Sequence, residues 1–279
     1  MSVSYTMLPP GAPQNLTITR LGNQLKLDWT AGVGATGYKV YRMVNKAYFS
    51  TTEGTVINSP VALTYTDTSA NIDGDVNNNY FYFVTSNSLG GESDPSNRVG
   101  EFDFALTTSL LGTNYNWIGI PLIDPGLNTM ADLRDRIGGE LICDGIWEWL
   151  PAMQLESTGY PPNNSNISQG RVYKVSVVTP TTLTIVGAVP TFEAGLNSLK
   201  YNDPPMTSYN WIYVPLSRTE LVKASDLFPA IGTADSIEYW IVSDQIYSVG
   251  YFGIPGVFDF AIKPGYPYRV SVTADTVFP

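Results

Sequence analysis

Leu25-Lys26-Leu27-Asp28-Trp29 alternates apolar and polar side chains, and Tyr38-Lys39-Val40-Tyr41-Arg42 follows it after the turn Gly34-Ala35-Thr36-Gly37. A strand sends successive side chains to opposite faces, so a period of two marks a half-buried β-strand. The same reading extends outward. Leu16-Thr17-Ile18-Thr19 comes before them. Tyr48-Phe49-Ser50, Leu63-Thr64-Tyr65-Thr66-Asp67 and Tyr80-Phe81-Tyr82-Phe83-Val84 come after, and a last piece runs from Glu92 to Phe104. Seven short strands between residues 9 and 104 predict an all-β domain.

Composition agrees with many short strands and tight turns. The 279 residues are 43% hydrophobic but only 14% charged, well under the roughly 25% usual for soluble proteins. Tyr, Asn, Thr, Ser, Gly and Pro take up the difference, as strands and turns require. The net charge is -10 and the 15 Lys and Arg are scattered singly. Nucleic acid, which needs a clustered cationic surface, is therefore excluded as a partner. Anionic membrane surfaces are disfavoured for the same reason. No run approaches the ~18 apolar residues of a membrane span, so no membrane insertion is expected. Met1-Ser2-Val3-Ser4-Tyr5-Thr6 has neither a basic n-region nor an apolar h-region. Composition still points to a mature exported form or an excised segment. The single cysteine, Cys143, can form no intrachain disulfide and reads as a small buried apolar side chain.

The motif set Pro13-x-x-Leu16, Leu25-x-Leu27-x-Trp29, Gly37-Tyr38-x-Val40-Tyr41-Arg42, Tyr65-x-Asp67, Tyr80-x-Tyr82-x-Val84 and Gly91-Glu92-Ser93-x-Pro95-Ser96 resembles a fibronectin type III domain. The resemblance spans residues 9–104, about a third of the chain. It implies a two-sheet sandwich with Trp29 in the core and Tyr80 at the tyrosine-corner position. The adhesive Arg-Gly-Asp tripeptide of some such domains is absent.

The remainder is an internal repeat. Tyr115-Asn116-Trp117-Ile118-Gly119-Ile120-Pro121-Leu122 matches Tyr209-Asn210-Trp211-Ile212-Tyr213-Val214-Pro215-Leu216, 94 residues apart. Ala131-Asp132-Leu133 and Ser225-Asp226-Leu227 keep that spacing. Tyr173-Lys174-Val175-Ser176-Val177 answers Tyr268-Arg269-Val270-Ser271-Val272 at 95. Each copy reads as an apolar strand, a short helix and several further strands. In the first copy Asn128 or Thr129 caps the helix, Met130, Leu133 and Ile137 share one face, and Gly138 ends it. The Asn-Trp-Ile-x-x-Pro-Leu signature resembles a module found beside fibronectin-like domains in bacterial surface proteins. The predicted organisation is an N-terminal strand or linker at 1–8, a sandwich at 9–104, repeat modules at 105–190 and 199–279, and a linker at 191–198.

Chemistry-bearing residues are sparse. With no His, the commonest general base and metal ligand are both missing. No phosphate-binding glycine loop occurs. Paired carboxylates remain, with Glu101 and Asp103 as candidates and Asp132, Asp135, Glu148 and Glu156 beyond them. Nothing in their spacing converges, so no catalytic residue is assigned, and neither a cofactor nor an enzyme is expected. Asp73, Asp75, Asn77 and Asn79 place oxygens at every second position, as at the start of a calcium loop; a polar turn reads the same way. Trp147, Trp149, Trp240 and Tyr251 are candidates for a glycan-binding face, with Tyr160, Tyr239 and Tyr247 beside them, or for the core.

The two copies end differently. The first continues into Thr182-Leu183-Thr184-Ile185-Val186-Gly187-Ala188-Val189-Pro190, whereas the second has only Thr273-Ala274-Asp275-Thr276-Val277-Phe278-Pro279. Its last strand reads as short or missing. Residues 2–8 carry the same alternation, with Val3, Tyr5 and Met7 on one face. The expectation is a non-catalytic extracellular or cell-surface structural protein, a homopolymer whose subunits donate this strand head to tail. The alternative is a carbohydrate-binding or adhesion segment of a larger secreted protein.

Overall fold

The computed structural model describes residues 7–69, 75–191, 197–204, 206–248, 250–251, 253–254 and 258–278. The N-terminal strands are β1 (Gln14–Leu21), β2 (Gln24–Thr30), β3 (Gly37–Val44), β4 (Thr55–Asn58), β5 (Thr64–Asp67), β6 (Tyr80–Ser88), β7 (Gly91–Glu92) and β8 (Val99–Leu106). The first repeat contributes β9 (Tyr115–Gly119), α1 (Met130–Ile137), β10 (Cys143–Leu150), β11 (Leu155–Glu156), β12 (Val172–Val177) and β13 (Thr181–Ala188). The second contributes β14 (Asn197–Leu199), β15 (Tyr209–Tyr213), α2 (Ala224–Ile231), β16 (Ala234–Glu238), β17 (Trp240–Ile241), β18 (Ile246–Tyr247), β19 (Pro267–Val272) and β20 (Thr276–Phe278). The all-β expectation holds, with two short helices.

The chain divides into two compact units. The first runs to Asp103 and takes in Leu122–Asp124 and Thr184–Thr191. In it β1-β2-β5 form one sheet and β13-β8-β6-β3-β4 the other, with β7 beside β6. Leu16, Leu25, Leu27 and Trp29 from the first sheet bury against Tyr38, Val40, Tyr82, Val84 and Val99 from the second. Trp29 lies edge-on to Tyr38, ring centroids 5.5 Å apart, so the alternation that opened the sequence does fill a core.

Three local expectations change. Tyr48-Phe49-Ser50 is not a strand. The Glu53 carboxylate accepts from the Ser50 amide at 2.8 Å and closes a turn, Phe49 stacks on Phe83 at 4.6 Å, and β4 begins only at Thr55. The piece from Glu92 to Phe104 is interrupted. The Ser93 and Ser96 hydroxyls accept from the Ser86 and Val84 amides, so side chains replace part of the ladder before β8 begins. In the sandwich the tyrosine that is fully buried with a bonded hydroxyl is Tyr82, donating to Asp67 at 2.9 Å; Tyr80 is only half-buried and lies under Arg42.

The largest difference from the predicted boundaries is β13. Its residues from Thr184 onward belong to the sandwich. There Val186 enters the sandwich core, and the Val189 amide donates to the Arg98 carbonyl at 2.9 Å. Alternation reveals a strand but not which sheet it joins.

The second unit holds most of both repeats. Sheet β11-β10-β12-β9 in the first copy corresponds to β15-β19-β16 plus the ribbon β17-β18 in the second. Thr129 caps α1 as expected: its hydroxyl accepts from the Asp132 amide at 3.2 Å and the Asp132 carboxylate from its own amide at 2.8 Å. Met130, Leu133 and Ile137 are buried, as are Ala224, Leu227 and Ile231 of α2. The motif asparagine has one task in both copies. The Asn116 side chain binds the Thr107 amide and carbonyl, both at 3.0 Å. Asn210 does the same for Lys200, at 2.7 and 3.1 Å. An amide side chain thus pins the preceding segment to each repeat's first full strand. The closing strand of the second repeat is short: β20 has three residues and pairs only with β14 among the described residues.

Candidate functional site

β9 and β15 each place a tryptophan toward the other repeat, and Trp117 and Trp211 stack with centroids 3.8 Å apart and planes at 21°. Val172 and Tyr213 are buried with them, flanked by Trp149, Trp240 and Tyr247. The backbones approach closely here. A Cβ on Gly119 would stand 3.0 Å from that of Tyr213, its counterpart in the second copy.

The polar contacts around this stack are reciprocal. The Trp149 indole N–H donates to the Tyr209 carbonyl at 3.0 Å, and the Trp240 indole to the Tyr115 carbonyl at 2.8 Å. Gln154 accepts from the Tyr209 amide at 2.9 Å and donates to its carbonyl at 2.9 Å. Gln245 treats Tyr115 identically, at 2.9 and 3.1 Å. Each glutamine sits at φ 52°, in the left-handed region. Its side-chain amide also donates to its own loop, at Pro151 or Val242. It thereby supplies what a neighbouring strand would supply, capping an edge that would otherwise be open to pairing.

Each end of the interface holds a cation between rings and a carboxylate. Lys174 lies 4.2 Å from the Tyr115 ring and 4.8 Å from the Trp147 ring and pairs with Glu156. Arg269 lies 4.2 Å from Tyr209 and 3.0 Å from Tyr247, its Nε–H donating to Glu238 at 2.6 Å. Ring and carboxylate have changed places between copies: Trp147 corresponds to Glu238, and Glu156 to Tyr247. An aromatic box of this kind suits a cationic group, and here the chain provides its own.

Of the aromatic candidates, Trp149 and Trp240 therefore meet in one interface, and Trp147 stands against Tyr115 and Lys174 of its own repeat. Tyr251 does not join them; it is buried in the second repeat against Phe228, ring centroids 4.9 Å apart. An open groove of about 300 Å³ is lined by Tyr239, Ile241, Ser248, Phe258, Asp259 and Phe260. Phe258 is 58% exposed and held at φ 53°, a conformation costly for an aromatic residue. The Asp259 carboxylate accepts from the Ser225 amide and hydroxyl, both at 2.9 Å. Sequence reading missed Phe258 and Phe260, because neither lies in a periodic run. It missed the glutamines too, although Trp149 and Gln154 recur as Trp240 and Gln245 once three residues are removed from the first copy.

Of the calcium candidates, Asp73 lies outside the described residues. The Asp75 carboxylate accepts from the Asn77 amide at 3.3 Å and the Asn78 side chain at 2.6 Å. Asn79 turns inward and accepts from the Asp103 amide at 2.8 Å. Among the described residues no three acidic, His or Cys side chains gather as a metal group. Glu101 and Asp103 stand side by side, both fully buried. The other carboxylates are dispersed: Asp132 caps α1, Glu148 pairs with Arg171 at 3.3 Å, and Glu156 belongs to the Lys174 box. Burial pushes the Cys143 thiol up to about 11, away from nucleophilic use. Val3 and Tyr5 lie outside the described residues. Met7 is 61% exposed, and the Met7-Leu8 backbone lies so close to Gly90 that a Cβ there would collide with the Leu8 carbonyl.

No family model and no curated protein matches the chain. Among solved structures it is similar to a Fn3-like protein from Clostridium thermocellum, with 31% identity over 32% of this chain and 88% of that one and a TM-score of 0.26. It is similar to the FN5 domain of Drosophila Lar, with 18% identity over 33% of this chain and 92% of that one and a TM-score of 0.24. It is also similar to the FN1-FN3 domains of chicken CNTN1, with 12% identity over 96% of this chain and 90% of that one and a TM-score of 0.24.

Proposed function

We propose that the chain is a non-catalytic structural protein of the cell exterior or surface, whose copies join head to tail. The observation that carries this reading is the reciprocal clamp between the repeats. Indoles and amides that a binding module would present to a ligand are occupied in holding one repeat to the other, and each cation is boxed within its own repeat. In this reading residues 2–6 supply the joint as a donated strand, with Val3 and Tyr5 on its apolar face. Met7, anchored beside Gly90 of its own sandwich, fixes where the donor begins. A suitable acceptor is the β14-β20 ribbon, which has no third strand among the described residues and so offers open edges. Such a contact is heterologous and propagates as an open filament. Negative-stain microscopy tests this: filaments are expected from the full chain and single particles after deletion of residues 1–6. Filaments from both would refute strand donation, and single particles from both would refute assembly.

The groove favours one second reading, recognition of a sugar ring by Tyr239, Phe258 and Phe260. Glycan-array binding by the intact chain that is lost in a folded Tyr239→Ala variant would support it.

A further inference from the structure

We propose that Glu101 and Asp103 form the buried floor of a calcium site, at the end of the sandwich where the turn 75–79 enters β6. The two carboxylates stand at alternate positions of β8, hence on one face, and both are fully buried. Carboxylates are almost never buried so completely without compensation. Glu101 Oε1 accepts from the Tyr80 amide at 2.6 Å. Oε2 is equally buried and has no hydrogen-bond partner.

The Tyr80 contact fixes the Glu101 head group at the foot of the turn, where Asp103 and Asp75 both repel its charge. Arg20 on β1 opposes them, more weakly than either carboxylate. The neutral groups around the pair are oxygen donors as well. The Thr184 hydroxyl bonds Asp103 Oδ1, and Asn79 is anchored on the Asp103 amide. A set of carboxylate, hydroxyl and amide oxygens in a chain with no His suits a hard cation such as Ca²⁺ rather than a transition metal. Calcium takes six to eight oxygens and accepts carbonyls and water among them. The two carboxylates need only anchor the ion. The cation satisfies Oε2 and removes the repulsion together.

The test is thermal melting of the full chain, stripped with EGTA, with and without Ca²⁺, beside Mg²⁺ and a Glu101→Gln variant. Wild-type Tm should rise by about 10 °C at a hundredfold excess of Ca²⁺ over its Kd. Mg²⁺ should do less, and Glu101→Gln should not respond to Ca²⁺. A wild-type Tm unmoved by Ca²⁺ overturns the site. So does a Glu101→Gln variant that responds as fully as wild type. Should that variant fail to fold, calorimetric titration of the wild type decides: saturable Ca²⁺ binding supports the site, and no heat contradicts it.

Discussion

Glu101 also makes the metal-free sandwich sensitive to pH. Burial, reinforced by the neighbouring Asp103 charge, pushes its pKa up to about 9 from an ordinary 4.5. The folded chain therefore keeps a proton that the unfolded chain releases above about 4.5. The associated stability is complete at low pH, declines as pH rises, and is lost above about 9. In EGTA the urea midpoint should fall between pH 5 and 9, and Glu101→Gln should flatten that slope. Asp67 works in the opposite sense. Its burial would raise the carboxyl, but bonds from Ser69, Tyr82 and Arg42 outweigh that and hold it below its ordinary value. Its contribution is present above the ordinary carboxylate range and is lost on acidification. The glutamine clamp is also a residue-scale device. Gln154→Ala should cost about 1–3 kcal/mol, because it leaves the Tyr209 amide without its partner. Gly at the same position should cost less than Ala, since φ 52° suits it. Denaturant unfolding of the three proteins checks the order Gln, Gly, Ala.

At the scale of elements, the stack of Trp117 on Trp211 joins β9 to β15 and is the apolar centre of the interface between repeats. Replacing either tryptophan with Ala should destabilise the second unit by about 3–5 kcal/mol. Its unfolding, followed by tryptophan fluorescence, should shift while Gln154 and Gln245 are intact. Elements were legible wherever one local signal decided them. Period-two runs revealed β1 and β2, short apolar and aromatic runs between turns revealed β3, β5 and β6, and the Met130, Leu133 and Ile137 face between Thr129 and Gly138 revealed α1. Elements set by distant partners were not legible. Phe49 sits outside a strand because Glu53 closes a turn over Ser50, and β13 reads identically whichever sheet receives it. The site divides the same way. Trp147, Trp149 and Trp240 were visible as large aromatics, but their partners were not. Gln154 acts on Tyr209 across 55 positions, and three extra residues in the first copy hide its match to Gln245. Glu101 and Asp103 were visible as a pair. Their complete burial was not, because it depends on how the end of the sandwich closes over β8.

At the scale of the whole molecule, duplication explains the division of labour. Two copies of one module present the same face to each other, so the aromatic surface satisfies itself, and the proposed head-to-tail joint rests on strand pairing instead. Sedimentation velocity over a range of concentrations tests this most directly, on the full chain and on a chain lacking residues 1–6. An open series of oligomers growing with concentration is expected from the first, and a single monomer boundary from the second. A concentration-independent monomer from the full chain would contradict head-to-tail assembly, and the same oligomer series from the shortened chain would contradict the donated strand.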